Sequence, residues 1–358
     1  MGILNLYLLK RFMYGFILSL VVLLSIETFL SLTAEMEDLN TGDYTFAVLL
    51  KYTLLSIPRS IQDLFPYALL IGAMLSLGAM AADMEFVAIQ SAGVSVTQTI
   101  LIILTQTFFI SVIFYLVSDF SVPQLNKKAE SIKNIALNKK VVHKANGVWF
   151  KDKNKFINID EVYSNSNLKN ISIYKYDYSL KLQSLRHIDE ASFENGNWIL
   201  RGVKETSFET KPIQTRHYHS QKEVEFIDPQ LLDVTIHKPH NLSLGDVIKN
   251  IEYLNQNKLD DSIQKRIFWE KLLKPFSTVI MIFLAMPFLF GKYRTNTQGK
   301  RIVVGLLIGI VFFVTTTMLP NLGTVIGIFP FFNVLLPNIL FVIIGYKLYK
   351  HQLELGLQ

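Results

Sequence analysis

Apolar positions along this chain gather into six long runs, at about 12–33, 53–82, 99–119, 275–291, 302–320 and 325–346. One long, mostly polar stretch separates the third run from the fourth. A hydrocarbon core about 30 Å thick is crossed by roughly 20 helical residues, so each run predicts a membrane span. The polar stretch is far longer than an ordinary connection and predicts a folded insert. The organisation expected is three spans over 1–138, an insert over 139–242, and a linker helix with three more spans over 243–358.

Inside the insert the pattern shortens to the two-residue alternation of half-buried strands. Segments 155–159, 171–176, 180–185, 197–202 and 223–227 are rich in Ile, Val, Tyr and Phe. Asn195-Gly196 predicts a hairpin, because a type I′ turn needs positive φ at both central residues. The fold class expected is therefore an α-helical membrane protein of six transmembrane helices with an inserted, periplasmic, all-β domain, jelly-roll-like in character. Helices at about 122–138 and 243–274 would join it to spans three and four.

Composition agrees with this pattern: 50% of residues are hydrophobic and only 18% are charged. The placement of basic residues says more than the net charge of +6. Lys10 and Arg11 precede span one, Lys292, Arg294, Lys300 and Arg301 join spans four and five, and Lys347 and Lys350 follow span six. The 34–50 connection carries Glu35, Glu37, Asp38 and Asp43 instead, and the expected 320–325 turn has no charge. Lysine and arginine mark cytoplasmic connections, so both termini are expected inside and the insert outside. The N-terminal run lacks a small-residue cleavage site and reads as a retained anchor. With no cysteine, disulfides and thiolate chemistry are excluded. His217 and His219 share a strand face without further ligands at metal spacing, so no metal and no cofactor is expected. Neither a phosphate-binding glycine loop, an HExxH nor a G-x-S-x-G elbow is present, so no nucleotide hydrolysis or catalytic residue is expected of the chain itself.

Three features of the spans invite closer reading. Small residues recur at Ala68, Gly72 and Ser76 on span two and at Gly305 and Gly309 on span five, spacing that lets helix backbones approach closely. The span-five pair faces either its own chain or a partner helix. Pro58 and Pro66 are expected to bend or unwind span two. Glu27, Ser31 and Glu35 fall on one face of span one; Glu27 either sits near the interface or lines a polar cavity, since an ionisable group seldom faces lipid.

Between spans two and three, on the side expected to be cytoplasmic, the segment 81–93 has no Lys or Arg. Asp83 is expected to cap a short helix over about 83–92, with Glu85 in its first turn and Gly93 ending it. Phe86, Val87 and Ile89 give it an apolar surface, suited to a groove in another protein or to burial against the spans.

The block 52–78 (YTLLSIPRSIQDLFPYALLIGAMLSLG) followed by 84–95 (MEFVAIQSAGVS) resembles the LptF/LptG permease family of the lipopolysaccharide-export ABC transporter. The likeness continues through VPQ (122–124), GVWFKD (147–152), ISIY (171–174) and WEKLLKPFSTVIM (269–281), and so covers nearly the whole chain. It implies six spans with a periplasmic jelly-roll-like domain, pairing with LptF as a heterodimer over two copies of the ATPase LptB, and delivery of lipopolysaccharide to a bridge of LptC and LptA. It also implies ATPase coupling through Asp83, Glu85, Phe86, Val87 and Ile89, with spans one and five as lateral gates and Gly305 and Gly309 packing there.

Arg59, Lys127, Lys128, Lys133, Lys271 and Lys274 flank the bilayer edge on the insert side, where ammonium and guanidinium groups suit anionic lipid A phosphates; snorkelling to head groups explains any one of them equally well. The family's lysines at the outer end of span one are replaced here by acidic residues. Two other readings stand beside the first: the LptF-type subunit of the same transporter, and a non-transporting membrane receptor or scaffold.

Overall fold

The computed structural model describes residues 2–137, 147–227 except 165, 178, 180, 195, 210–211 and 224–225, then 241–290 and 298–356. Among these described residues, six helices are long and apolar enough to span a bilayer: α1 (Gly2–Glu35), α2 (Phe46–Ala82), α4 (Val96–Ala136), α6 (Ser262–Phe290), α7 (Gln298–Ile326) and α8 (Pro330–Gly356). Two shorter ones are α3 (Glu85–Ser91) and α5 (Leu244–Gln256). The described strands of the insert are β1 (Val148–Asp152), β2 (Lys155–Ser164), β3 (Asn167–Tyr176), β4 (Leu182–Glu194), β5 (Asn197–Ser207) and β6 (Gln214–Glu223). A helical membrane protein with an inserted β domain is thus the observed class. The chain divides into two compact units, Met1–Glu37 with Leu50–Lys127 and Lys265–Gln358, and Asp38–Leu49 with Lys128–Gln264.

In the first unit α2 is the central helix: 61% of its most apolar window is buried, against 17% for α1 and 22% for α7. Phe65, Leu69, Ala73 and Leu77 of α2 pack with Leu8 and Phe12 of α1, Ile103 of α4 and Ala285 and Met286 of α6. Phe65 stacks on Phe114 with ring centroids 3.8 Å apart. The other helices leave large apolar faces open, as lipid or a partner requires.

Gly72 and Ser76 form the crossing with α1, and Ala68 one turn earlier is fully buried. A Cβ placed on Gly72 would lie 2.6 Å from the Phe16 backbone nitrogen, and one on Gly15 would lie 2.5 Å from the Gly72 carbonyl oxygen. The two backbones therefore touch, which only glycine permits. Ser76 donates to the same Gly72 carbonyl at 2.7 Å.

Several boundaries depart from the sequence reading. Pro58 and Pro66 lie inside an unbroken α2, so the helix is not unwound there. The first linker helix is not separate: α4 runs as one helix through Pro123. The second is two helices, because Asn257 ends α5 and Lys258 adopts positive φ (55°) before Ser262 starts α6. The turn between spans five and six is at Gly327–Phe329 rather than 320–325, since α7 continues through Pro320 to Ile326 and Gly327 supplies the positive φ (82°). Lys292, Arg294 and residue 139 lie outside the described residues.

The six strands form one antiparallel sheet in sequential order. Among the described residues no strand crosses over, so the order is up-and-down rather than the Greek-key order of two-sheet jelly rolls. One face is apolar: Ile159, Leu168, Ile171, Ile188, Trp198 and Leu200 are fully buried. Glu194 pairs with Asn197 across the predicted hairpin, and Gly196 has φ 81°; Asn195 is outside the described residues. The strand expected at 223–227 is displaced: β6 ends at Glu223. Phe226 and Ile227 pack on the core instead, and the Ile227 carbonyl accepts the Trp198 indole N–H at 2.7 Å.

Helix α5 is capped by Ser243, whose hydroxyl accepts from the Asp246 N–H. Its Tyr253 hydroxyl donates to the Lys151 carbonyl at 3.0 Å and accepts from the Lys151 N–H at 3.1 Å, tying α5 to edge strand β1. Burial pushes the Tyr253 pKa up, partly offset by the Lys151 backbone bond, so the hydroxyl keeps its proton.

Candidate functional site

Helix α3 and its two flanking turns make a compact feature between spans two and three. Asp83 does not cap it. The Asp83 N–H closes the end of α2 on the Ala79 carbonyl at 2.9 Å, and the capping position belongs to Met84, with φ 59° and no side-chain cap bond. At the other end Gly93 (φ 90°) releases the chain. Ser95 and Gln98 then exchange reciprocal hydrogen bonds at 2.9 and 3.2 Å, a capping box that starts α4.

The apolar and acidic positions of α3 divide by face. Phe86 is buried in the helical core and Ile89 packs against it. Val87 and the preceding Met84 are exposed. Glu85 points to α1: its Oε2 accepts from the Tyr7 hydroxyl at 2.6 Å and its Oε1 from Arg11 Nη2 at 2.9 Å. Arg11 Nε donates to the Tyr7 oxygen at 3.1 Å. In the sequence Arg11 stands out only as a mark of orientation, and Tyr7 does not stand out at all. Their i, i+4 spacing is visible there, but nothing in the sequence connects either residue to position 85.

The candidate substrate-binding cations are not free charges at a rim. Arg59 lies 3.9 Å from Asp63 and donates weakly to Asn126 at 3.4 Å. Lys271 bonds Asp119 at 2.7 Å, bridging α6 and α4. Lys274 sits over the Tyr115 ring at 5.4 Å, and Asp63, Lys271 and Glu270 are charged groups near enough to act on it. Tyr115 in turn shares a 3.3 Å hydrogen bond with Thr278, and Arg266 is paired with Glu270 one turn on along α6. These residues make a polar seam among α2, α4 and α6. Lys127 is half-buried within the same unit. In the second unit Lys133 lies 3.3 Å from Asp38 and 5.9 Å from the Tyr44 ring centroid, while Lys128 is exposed. Among the acidic residues of the 34–50 connection, Asp38 thus has a definite local role, since it holds Lys133.

Glu27, Ser31 and Glu35 lie on one face of α1, and all three are half-buried. Gly305 and Gly309 are packed against α2 of their own chain: a Cβ on Gly305 would meet Met74 Cγ at 3.0 Å, and one on Gly309 would meet Leu70 Cδ2 at 3.3 Å. Of the two partners expected for the pair, these contacts are with its own chain. Small residues reveal a close approach but not which helix makes it.

Six apolar helices, a short helix between the second and third, and a β domain inserted after the third define a polytopic membrane protein of the permease class. Comparison with known proteins narrows the class. Residues 6–351 match the model of the family described as lipopolysaccharide export system permease LptF/LptG, and the chain belongs to that family. It is 28% identical to the lipopolysaccharide export system permease protein LptG of Haemophilus influenzae over 340 residues, 94% of this chain and 95% of that protein. It is 29% identical to LptG of Escherichia coli K12 over 348 residues, 96% of this chain and 97% of that protein.

Proposed function

We propose that this chain is the LptG-type transmembrane subunit of an ABC transporter that extracts lipopolysaccharide from the outer leaflet of the inner membrane and passes it to a periplasmic bridge. The observation that carries this reading is the family match over residues 6–351, nearly the whole length, on a chain with the architecture expected of it. The LptF-type reading has less support, since both relatives above are LptG proteins.

Energy comes from a separate ATPase, LptB, seated against α3, where Met84 and Val87 offer an exposed apolar contact. LptF completes the heterodimer, and LptC with LptA forms the bridge. Lys10, Arg11, Lys347 and Lys350 favour cytoplasmic termini, which puts the insert in the periplasm. The faces of α1 and α7 available to LptF are those left open by packing on α2, including Val22 and Phe29 on α1 and Leu307 and Val311 on α7.

Arg59, Lys127, Lys128, Lys133, Lys271 and Lys274 hold the lipid A phosphates. For Arg59, Lys133 and Lys271 the acidic neighbours Asp63, Asp38 and Asp119 keep the cation placed until phosphate competes for it. Photocrosslinkers at Arg59 and Lys133 in the assembled complex test the substrate. Glycolipid capture is expected, and capture of bulk phospholipid alone refutes it. Copurification of a soluble ATPase, and ATP-dependent release of lipopolysaccharide from proteoliposomes, test the transport reading itself.

A further inference from the structure

Pairing across the sheet of the insert sets residues of successive strands side by side in rows. Val148, Ile159, Ile171, Ile188 and Val203 make one row, and all five are buried on the apolar face. The next row holds Trp149, Asn158, Ser172, His187, Lys204 and His217, one from each strand. Successive side chains along a strand point to opposite faces, so this row lies on the other side of the sheet. Crossing six strands at about 4.8 Å spacing, it is about 24 Å long. Beyond β6, Phe226 and Ile227 pack on the apolar face and leave this side open.

The row begins in an aromatic plate. Trp149 is 53% exposed and stacks with Tyr174, the ring centroids 5.9 Å apart and the planes within 22°. Towards β6 the chemistry turns cationic. His187 is held at both ring nitrogens, Nδ1 by the Ser172 hydroxyl at 3.2 Å and Nε2 by Asp189 at 3.5 Å. Glu190 lies between Lys169 at 3.9 Å and Arg201 at 3.5 Å. Both of these acids are therefore engaged. Lys204 and His217 are exposed and have no ion pair among the described residues. Opposite charges stabilise facing positions in a sheet, yet Lys204 has a histidine on each side.

The centre of a protein–protein interface is depleted in charge, which this face is not. A saccharide bearing acidic groups matches it better. The C–H groups on the face of a sugar ring are electropositive and seat on the electronegative face of an aromatic ring. Sugar carboxylates or phosphates form charge-assisted hydrogen bonds with ammonium and imidazolium groups. We propose that this face of the sheet binds the anionic saccharide of lipopolysaccharide, with sugar rings on the Trp149–Tyr174 plate and acidic groups at Lys204 and His217. The proposal rests on the transport reading above and adds to it a contact for the polar end of the substrate.

The test uses the full chain in detergent micelles and the oligosaccharide freed from lipopolysaccharide by mild acid, a probe that needs neither bilayer nor ATPase. Calorimetric titration should show binding that weakens as salt rises. Trp149→Ala and Lys204→Ala should each weaken it about tenfold, while Lys204→Arg keeps it within about twofold. Hydrogen exchange of β4 and β5 should match the parent in all three variants, which shows that the sheet is intact. A photocrosslinker at Leu185, which pairs with Tyr174, should give a glycolipid adduct in the assembled complex without any truncation. No binding by the parent, or binding that survives either alanine change, overturns the proposal. So does binding that a neutral maltodextrin or inorganic phosphate matches, or a protein adduct at Leu185 in place of glycolipid. Saccharide binding as expected, with no ATP-dependent release from proteoliposomes, would sink the transport reading instead and leave the saccharide face standing.

Discussion

Replacing Gly72 with alanine and, separately, Gly305 with alanine adds the same methyl group to two helix crossings with different expected results. At Gly72 the new carbon would fall 2.6 Å from the Phe16 Cα and nitrogen and 2.7 Å from the Gly15 carbonyl carbon. All three are backbone atoms, so relief requires α1 and α2 to part by about 1 Å, which disturbs packing along several turns. Overpacking of this kind costs about 1–3 kcal/mol, and rigid neighbours put Gly72 at the upper end. At Gly305 the nearest atom is Met74 Cγ at 3.0 Å, on a flexible side chain that can turn aside. Alanine returns about 1 kcal/mol of helix propensity at either site. The net expectation is about 2 kcal/mol of destabilisation for Gly72→Ala, roughly 30-fold in the unfolding equilibrium, and close to none for Gly305→Ala. The assay is SDS-driven unfolding in mixed micelles, followed by tryptophan fluorescence. Equal midpoints for the two variants, or a larger loss at Gly305, would refute the assignment of the backbone crossing to α1 and α2.

Asp119→Ala should destabilise the same unit by about 1–2 kcal/mol, below the range for fully buried pairs because Lys271 and Asp119 keep 17% and 28% of their side chains exposed. The double change Asp119→Ala with Lys271→Met should recover most of that loss in the same assay; a double variant no better than the single one contradicts an orphaned ammonium as the cause. In the insert, Trp198→Phe removes the indole donor to Ile227 and shrinks a fully buried ring, at a cost of about 2–4 kcal/mol. Hydrogen exchange of β4 and β5 in the full chain should speed up accordingly, and unchanged protection would show that the indole bond contributes nothing.

Span number and the β character of the insert were legible in the chain because each follows from a local requirement. A backbone crossing lipid must satisfy its own hydrogen bonds, so apolar length alone reports a span. Two-residue alternation similarly reports a half-buried strand, which is why four of the five expected segments lie within β2 to β5 in whole or in large part. The fifth, at 223–227, failed because its apolar residues serve the core from beyond the end of β6, where Phe226 packs on Trp198. Local pattern cannot separate a residue buried by a strand from one buried beside it.

Helix ends and contacts were decided elsewhere. Spans three and five were expected to end near 119 and 320, yet α4 and α7 continue through Pro123 and Pro320, since neighbouring helices hold the chain in place. Asp83 had the residue type of a cap, but its backbone was already committed to finishing α2. The stripe at Gly305 and Gly309 announced a close crossing, and only packing revealed that α2 of the same chain fills it. Arg11 and Glu85 stand 74 positions apart, and no periodicity spans that distance. The sequence by itself determined which segments enter the bilayer and which fold outside it, because transfer free energy is a property of each segment taken alone. The tertiary structure alone decided which charges meet and which glycines touch, because those depend on how helices far apart in the chain come to lie side by side.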